Sequence, residues 1–410
     1  MSEETVARLL GMACNPCPSP AQAALLERGV AAISDWSSLA EQLATHRLGP
    51  LLHWQIKEYG IAVPTPVRRL LTGLYLRQRG VANIQTDILC SVLERFDNAG
   101  ISSVVLKGGA LAHQHYPEPA LRPMDDLDIL VHASDLQQAR DELIAIGLRA
   151  GKPRNRYERR LHHWPVAHAV RNGVRIQIEM HWRVLNTRLG GGALDLDALN
   201  QPLSTFSVVE RTAMTLRLDQ FIGTQIQRLR HLSDPIRAIA LADLAGLAEA
   251  AGNDPDWPGP TCVPTATRNA YAIVQAMTPI SAAGCAALGL DPEATPGQLS
   301  AEQVAYRGWP MPADGHSGNS GMGTRMRATL LPSPCWMQLA YGCRVGPASV
   351  PGWLLHHPAN ALLQAVRRWQ MGHAGAAVRQ PRSAVTARVA SAANNTTSST
   401  ASKGRSPNRA

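Results

Sequence analysis

The sequence predicts an α+β fold in which a small mixed-sheet core is flanked by N- and C-terminal helical regions. Apolar runs at 104–106 and 127–131 have the length and composition of buried strands. A third run, 174–182, follows Asn172-Gly173, a dipeptide typical of a hairpin turn after the strand at 166–170. Patterns with the helical period precede the first strand and follow the hairpin, which favours helices around a small sheet.

The segment before the first strand has the pattern of a helix. Its apolar residues recur at the spacing of one buried stripe, and Asn98-Ala99-Gly100 supplies a C-terminal stop. The stripe consists of Ile84, Ile88, Leu89, Val92, Leu93 and Phe96. After the second strand, Ser134 can cap a helix that ends at Gly147. The core is therefore expected to run strand, turn, short helix, strand, helix and hairpin.

The remaining chain divides by composition. Past Leu203 the pattern again predicts helices, and residues about 251 to 325 are rich in Pro and Gly, which predicts loops between them. We expect an N-terminal helical region at 1–99, a small α/β core at 100–190, a C-terminal helical region with Pro/Gly-rich loops at 191–375, and a disordered basic tail at 376–410.

Composition narrows the class of protein. The 410 residues contain no run of 18 or more apolar residues, and the opening Met1-Ser2-Glu3-Glu4 lacks the features of a signal peptide, which predicts a cytoplasmic protein. Seven scattered cysteines do not form a disulfide framework and are expected to be reduced. Cys14 and Cys17 have zinc-like spacing, but without a second pair at a matching distance a loop is the favoured interpretation.

The net charge of +9 is concentrated at the end of the chain. Six cations and no acid lie between Arg379 and Ala410, which leaves +3 for the rest. We favour a solvated extension over a nucleic-acid arm, and expect neither nucleic acid nor a membrane as partner. The weaker alternative predicts binding that falls steeply with salt and that is lost, without loss of catalysis, when residues from Arg379 onward are deleted.

Three elements of the predicted core carry chemistry. The first strand ends at Gly108-Gly109, where backbone N–H groups and a helix N-terminus can hold phosphate. Asp126 and Asp128 are two residues apart, so on a strand both side chains share a face. Glu179 lies in the middle of the polar face of the later strand. If the two strands are neighbours, three carboxylates converge and can share divalent cations that clamp a transferring phosphoryl or nucleotidyl group.

Four nearby residues have alternative interpretations. Lys107 can reach a triphosphate or face solvent, and we favour the first. Arg122 can grip phosphate oxygens or pair with one of the acids. Asp125 points away from its two neighbours and is interpreted as a turn residue, while His181 shares the face of Glu179 as a catalytic or a supporting residue.

Other polar residues are interpreted conservatively. His162, His163 and His168 lack a ligand-like partner and are expected near the acceptor or at the surface rather than at a zinc ion. Asp243 lies on an apolar helix stripe, and we expect it to cap a neighbouring helix. The Gly-rich residues 315–323 lack the context of a phosphate loop and are assigned no chemistry.

These motifs together resemble the uncharacterised bacterial nucleotidyltransferase-like family of the DNA polymerase β-type nucleotidyltransferase superfamily. The superfamily is marked by a Gly-Ser or Gly-Gly turn, an acid-x-acid strand and a third acid on a later strand, which Gly108-Gly109, Asp126/Asp128 and Glu179 match in order. The resemblance extends over about residues 35 to 370, including 45–52, 330–342 and the acid Asp243 of the C-terminal helices.

The resemblance implies a Mg²⁺-dependent transferase that moves a nucleoside monophosphate from an NTP to a hydroxyl acceptor and releases pyrophosphate. Asp126, Asp128 and Glu179 would be the catalytic residues and the ligands of two Mg²⁺ ions, and Lys107, Gly108, Gly109 and Arg122 would bind the triphosphate. Many active superfamily members carry a serine where this chain has Gly109. That departure motivates the alternative, a catalytically inactive nucleotide-binding or interaction protein with the same fold.

Overall fold

One mixed sheet of six strands organises the described part of the chain. The computed structural model describes residues 3–34, 36–153, 163–184, 196, 199, 203–229 and 237–292. The strands are β1 (Ser103–Leu106), β2 (Leu127–Val131), β3 (Ala167–Arg171), β4 (Val174–His181), β5 (Ser204–Val208) and β6 (Arg211–Thr215). They lie in the order β3-β4-β2-β1-β6-β5. The predicted α+β fold with a mixed sheet is confirmed.

The two central strands are buried along their whole length. Every residue of β1 and β2 is buried, as expected for apolar runs in the middle of a covered sheet. Strand β1 pairs antiparallel with β2, and β2 pairs parallel with β4. Hairpin β3–β4 turns at Asn172 and Gly173, which have φ values of 50° and 76°, so both adopt the left-handed backbone that two-residue hairpin turns favour. The predicted hairpin is therefore confirmed.

A second hairpin, β5–β6, lies in a segment for which the sequence predicted helices. Strand β6 pairs parallel with β1, and the Thr215 hydroxyl donates a 2.7 Å hydrogen bond to the Val105 carbonyl. Buried Phe206 and Val208 alternate with exposed Thr205 and Ser207 along β5. The prediction of helices directly after Leu203 is wrong, because β6 exposes Met214 and buries Thr215, which reverses the apolar alternation expected of a strand.

Eleven α-helices surround the sheet in the described residues. They are α1 (Glu3–Ala13), α2 (Pro20–Ala31), α3 (Trp36–His46), α4 (Gly49–Glu58), α5 (Thr65–Asn98), α6 (Lys107–Gln114), α7 (Leu136–Ala145), α8 (Leu218–Leu229), α9 (Ala238–Asn253), α10 (Thr265–Met277) and α11 (Ala282–Leu288). Helix α5 buries most of its predicted stripe and ends before Gly100, whose φ is 71°. None of the described helices combines the length and the apolar character that a membrane crossing requires.

Helices α10 and α11 lie where the Pro and Gly content predicted loops. Pro264 immediately precedes α10, and Ser281 caps α11 by accepting a hydrogen bond from the Gly284 amide. Gly289 ends α11 in a left-handed conformation. The loop prediction is wrong for these residues because their Pro, Ser and Gly mark helix ends. The part of that prediction from residue 293 onward lies outside the described residues.

Candidate metal and nucleotide site

The register between β2 and β4 brings two of the predicted acids together. Asp128 on β2 is the direct neighbour of Glu179 on β4 in the parallel pair. Only 2% of Asp128 is exposed, and Glu179 is half-buried. Because paired residues of adjacent strands point to the same face, the two carboxylates lie side by side.

Asp126 lies directly before β2, two residues ahead of Asp128. Burial raises the pKa of its carboxyl to about 6, and the negative charges of Asp128 and Glu179 add to the shift. The three acids are therefore close enough to disfavour one another's charge. A bound cation would favour the ionised form of each carboxyl.

His181 adds a nitrogen to this group. Its Nε2 lies 2.8 Å from Oδ1 of Asp128 and 3.4 Å from Oε2 of Glu179, and the imidazole is completely buried. One potential ligand atom from each of these three residues lies within 4.8 Å of the other two, so together they could hold a metal ion. The sequence had left His181 open between a catalytic and a supporting role.

Hydrogen bonds set the protonation of this group. Burial opposes protonation of His181, but its hydrogen bonds to Asp128 and Glu179 more than offset that effect and raise its pKa. Burial also disfavours the Asp128 carboxylate, yet Lys107 and His181 hold its pKa far below the usual range. The pKa of Glu179 is lowered because the His181 hydrogen bond outweighs burial. Asp128 and Glu179 are thus ionised at neutral pH.

Lys107 faces the acids rather than solvent. Its Nζ donates a 2.5 Å hydrogen bond to Oδ1 of Asp128, and its side chain is 19% exposed. The residue lies where β1 ends and α6 begins, and its φ of 47° is a backbone angle that residues other than glycine rarely adopt. This junction turns the ammonium group toward the acids.

The two glycines after Lys107 are required by packing. A Cβ on Gly108 would overlap Nη1 of Arg122 and lie 3.2 Å from its Cζ. A Cβ on Gly109 would lie 2.9 Å from Cγ1 of Val105, closer than side-chain carbons approach. A serine at position 109 therefore does not fit the present arrangement of Val105.

Arg122 pairs with an acid that lies outside the predicted site. The guanidinium donates from Nε to Oδ1 and from Nη2 to Oδ2 of Asp243, both at 2.6 Å. Tyr116 donates a further 2.9 Å hydrogen bond to Oδ1. The prediction that Asp243 caps a neighbouring helix is wrong, because a charge within an apolar helix stripe needs a partner and Arg122 provides it.

The remaining predicted residues lie around this centre. Asp125 is exposed and forms an ion pair with Arg47, in keeping with its interpretation as a turn residue. The ring of His163 lies 5.4 Å from that of His181, so it is nearer to the acids than the sequence indicated. His168 lies on β3, and His162 lies outside the described residues.

Three contributors were not assigned to the site from the sequence. His163, Tyr116 and Arg228 interact with its residues, Arg228 through its positive charge near Asp126. Their sequence neighbourhoods carry no spacing that points to the acids.

The two cysteines with zinc-like spacing have different surroundings. Cys14 is buried and its thiol donates to the Ala238 carbonyl, while Cys17 is exposed.

Comparison with known proteins identifies the family. The chain belongs to a family described as uncharacterised nucleotidyltransferase, whose model matches residues 33–261, more than half of the chain. The match includes every predicted site residue and the segment 45–52. The segment 330–342, also expected to resemble the family, lies beyond the match and outside the described residues.

One solved structure with some similarity is the solution structure of the antibiotic-resistance factor ANT(2'')-Ia. It shares 13% identity, the alignment covers 42% of this chain and 86% of that chain, and the TM-score is 0.31. No curated protein matches the sequence.

Proposed function

We propose that the protein is a Mg²⁺-dependent nucleotidyltransferase that moves a nucleoside monophosphate from an NTP to a hydroxyl acceptor. The observation that carries this proposal is the pairing of Asp128 with Glu179, with Asp126 two residues ahead of Asp128. In the reaction, the acceptor oxygen bonds to the α-phosphorus, and the bond from that phosphorus to the bridging oxygen of the β-phosphate breaks. The acceptor proton is taken up by a carboxylate, and pyrophosphate leaves.

The residues of the site fit divalent cations. Asp126, Asp128 and Glu179 offer carboxylate oxygens, the donors that Mg²⁺ prefers. Burial, and then the charges of Asp128 and Glu179, raise the pKa of Asp126, so a cation bound beside it would favour its ionised form. We assign these three acids as ligands of two Mg²⁺ ions, which when bound would neutralise charge on the phosphates. His181 is assigned to hold Asp128 and Glu179 in place through its hydrogen bonds.

The other residues act on the triphosphate and the acceptor. Gly108 and Gly109 let the backbone approach the phosphates at the start of α6. The Lys107 ammonium, bound to Asp128 in the free protein, is assigned to the phosphates when the nucleotide enters. Glu179 is assigned to accept the proton of the incoming hydroxyl.

Two further expectations from the sequence stay predictions. They are the cytoplasmic location and the division of the chain into regions at 99/100, 190/191 and 375/376.

A second candidate is a nucleotide-binding protein without turnover. It is favoured by Gly109, since the turn lacks the serine hydroxyl of many active superfamily members and a Cβ there would meet Val105. In this case metal-dependent binding of a nucleotide is retained and no pyrophosphate is formed.

Calorimetric titration of each NTP with Mg²⁺, combined with pyrophosphate release, tests both candidates. The wild type is compared with Asp126→Asn/Asp128→Asn and with the control Asp97→Asn/Asp141→Asn, which removes two exposed acids. Acceptors offered are a sugar, a small metabolite, a protein hydroxyl and a nucleic-acid end.

The outcomes separate the two candidates. Binding that requires the metal and the site acids, accompanied by pyrophosphate release, supports the transferase. The same binding without release for any acceptor supports the second candidate. If the wild type binds no NTP at all, both candidates fail.

A further inference from the structure

A clamp connects α9 to the turn at Gly108 and Gly109, and it is formed by Arg122, Asp243 and Tyr116. Arg122 and Asp243 are separated by 121 positions in sequence, yet their side chains are only 6% and 3% exposed and share two hydrogen bonds. Tyr116, at 6% exposure, donates to the same Asp243 oxygen that accepts from Nε. The Asp243 carboxylate is therefore bound by two residues, and its two hydrogen bonds from the guanidinium fix the plane of that group.

The third guanidinium nitrogen lies against the turn. A Cβ on Gly108 would overlap Nη1, so this nitrogen lies directly against the Gly108 backbone, where α6 begins. Within the described part of the chain, Nη1 makes no hydrogen bond to a protein group. The clamp thus leaves the Nη1 amino group of a buried arginine beside the turn assigned to phosphate.

The clamp fixes the orientation of a hydrogen-bond donor rather than adding a positive charge to the turn. Arg122 and Asp243 form a neutral pair, so the clamp adds little net positive potential at the turn. A buried ion pair is also a weak source of stability, since apolar residues of similar volume often serve the fold equally well. What a bidentate pair does supply is a fixed direction for the remaining donor.

We propose that Asp243 is a positioning residue that acts through Arg122, holding Nη1 where it donates a hydrogen bond to a phosphate oxygen of the bound NTP. This inference rests on the proposed function. It assigns to α9, a helix outside the sheet, a part in triphosphate binding in addition to any role in acceptor binding.

Three variants test the clamp by calorimetric titration with Mg²⁺ and the NTP that the wild type binds best. Asp243→Asn weakens the bidentate contact, and the triple variant Arg122→Met/Asp243→Leu/Tyr116→Phe replaces all three partners by apolar side chains. The control is Glu249→Gln, a change at another buried acid of α9, which accepts hydrogen bonds from Asn15 and the Ser281 amide. Thermal unfolding of each variant is measured in parallel.

A positioning role separates affinity from stability. We expect the triple variant to unfold near the wild-type temperature while its NTP dissociation constant rises about tenfold to a hundredfold, the effect of losing a hydrogen bond to a charged group. Asp243→Asn shifts the dissociation constant in the same direction, and Glu249→Gln leaves it unchanged. A folded triple variant that binds NTP like the wild type would overturn the proposal.

Hydrogen exchange of residues 106–111 tests the geometry without nucleotide. We expect faster exchange of the Gly108 and Gly109 amides in Asp243→Asn than in Glu249→Gln, because only the first change releases the guanidinium that lies against the turn. Equal exchange in the two variants would overturn the positioning role. A wild type that binds no NTP but shows this difference would remove the phosphate contact together with the proposed function, while leaving the clamp itself established.

Discussion

Two ion pairs flank the Gly108 turn and differ in how firmly they are held. Lys107 contacts Asp128 through one ammonium hydrogen bond, and Asp128 is shared with His181. Arg122 contacts Asp243 through two parallel hydrogen bonds. A point contact to a shared acid can be exchanged for another partner, whereas a buried bidentate pair cannot be broken without stranding a charge. The Lys107 side of the turn is therefore exchangeable, because its ion pair can change partners. The Arg122 side is permanent, because its ion pair cannot.

The largest expected effect is on the permanent side. Asp243→Ala leaves the Arg122 guanidinium buried without a counter-charge, so we expect the free energy of unfolding to fall by about 3–5 kcal/mol. Urea denaturation measures this change. In the control, Glu142→Ala breaks the more exposed pair with Arg95 and should cost less than about 1 kcal/mol. Equal losses in the two variants would remove the distinction between the pairs.

The next effect concerns the rigidity of the turn between the pairs. Gly109→Ala introduces a Cβ 2.9 Å from the stiff side chain of Val105, and we expect destabilisation by about 1–3 kcal/mol. The matched control is Gly73→Ala, at an α5 position with open space, which should stabilise by roughly 0.5–1 kcal/mol. If thermal unfolding shows no loss for Gly109→Ala, the turn adjusts more readily than its packing indicates.

A smaller effect is expected at Asp126, on the exchangeable side. Its folded-state pKa of about 6 exceeds the ordinary 3.8 because of burial and the neighbouring acids, so the folded protein binds the extra proton. The contribution of Asp126 to stability without metal should therefore fall as the pH rises from about 4 to about 6, and remain lower above it.

Asp126→Asn removes this dependence on pH. We expect the variant to be more stable than the wild type by about 1–2 kcal/mol at neutral pH without metal, and to gain less from added Mg²⁺. Denaturation curves at several pH values measure both effects. If the stability difference between the wild type and Asp126→Asn does not change between about pH 4 and about pH 6, burial and the neighbouring acids do not disfavour the Asp126 carboxylate as assigned.

The smallest effect is expected for Lys107→Met. Asp128 keeps its hydrogen bond from His181, so the stability should fall by about 1 kcal/mol or less. Because the ammonium group no longer competes for Oδ1 of Asp128, binding of Mn²⁺, used as a calorimetric probe, should become tighter. Weaker Mn²⁺ binding would mean that Lys107 supports the site in the free protein and does not compete with a cation.

The features that follow from local pattern were predictable from the sequence. The hairpin turn at Asn172-Gly173 follows from a short-range signal, and the shared face of alternate residues follows from the two-residue period of strands. The pairing that brings Asp128 beside Glu179 was only a condition of the three-acid hypothesis, because it joins strands that are distant in sequence. The same reasoning missed β5–β6, in which β6 exposes Met214 and buries Thr215, and α10 and α11, whose Pro and Gly lie at helix ends.

Partners that are distant in sequence were not predictable. Arg122 has several acids nearer along the chain than Asp243, and only packing of α9 against the core decides between them. The one available signal was the position of Asp243 on an apolar helix stripe. A charge there needs a partner, but the pattern does not indicate which residue it is. The proximity of His163 to His181 likewise depends on how the chain returns beside β4.

The 121-residue separation of Arg122 and Asp243 also matters for synthesis of the chain. The ribosome completes β1 to β4, and with them all three acids, before residue 243 has been made. Until α9 is made, the Arg122 guanidinium lacks the carboxylate that binds it in the folded protein. A fragment that ends near residue 190 would contain every acid of the site but would lack the carboxylate that pairs with the arginine beside the turn.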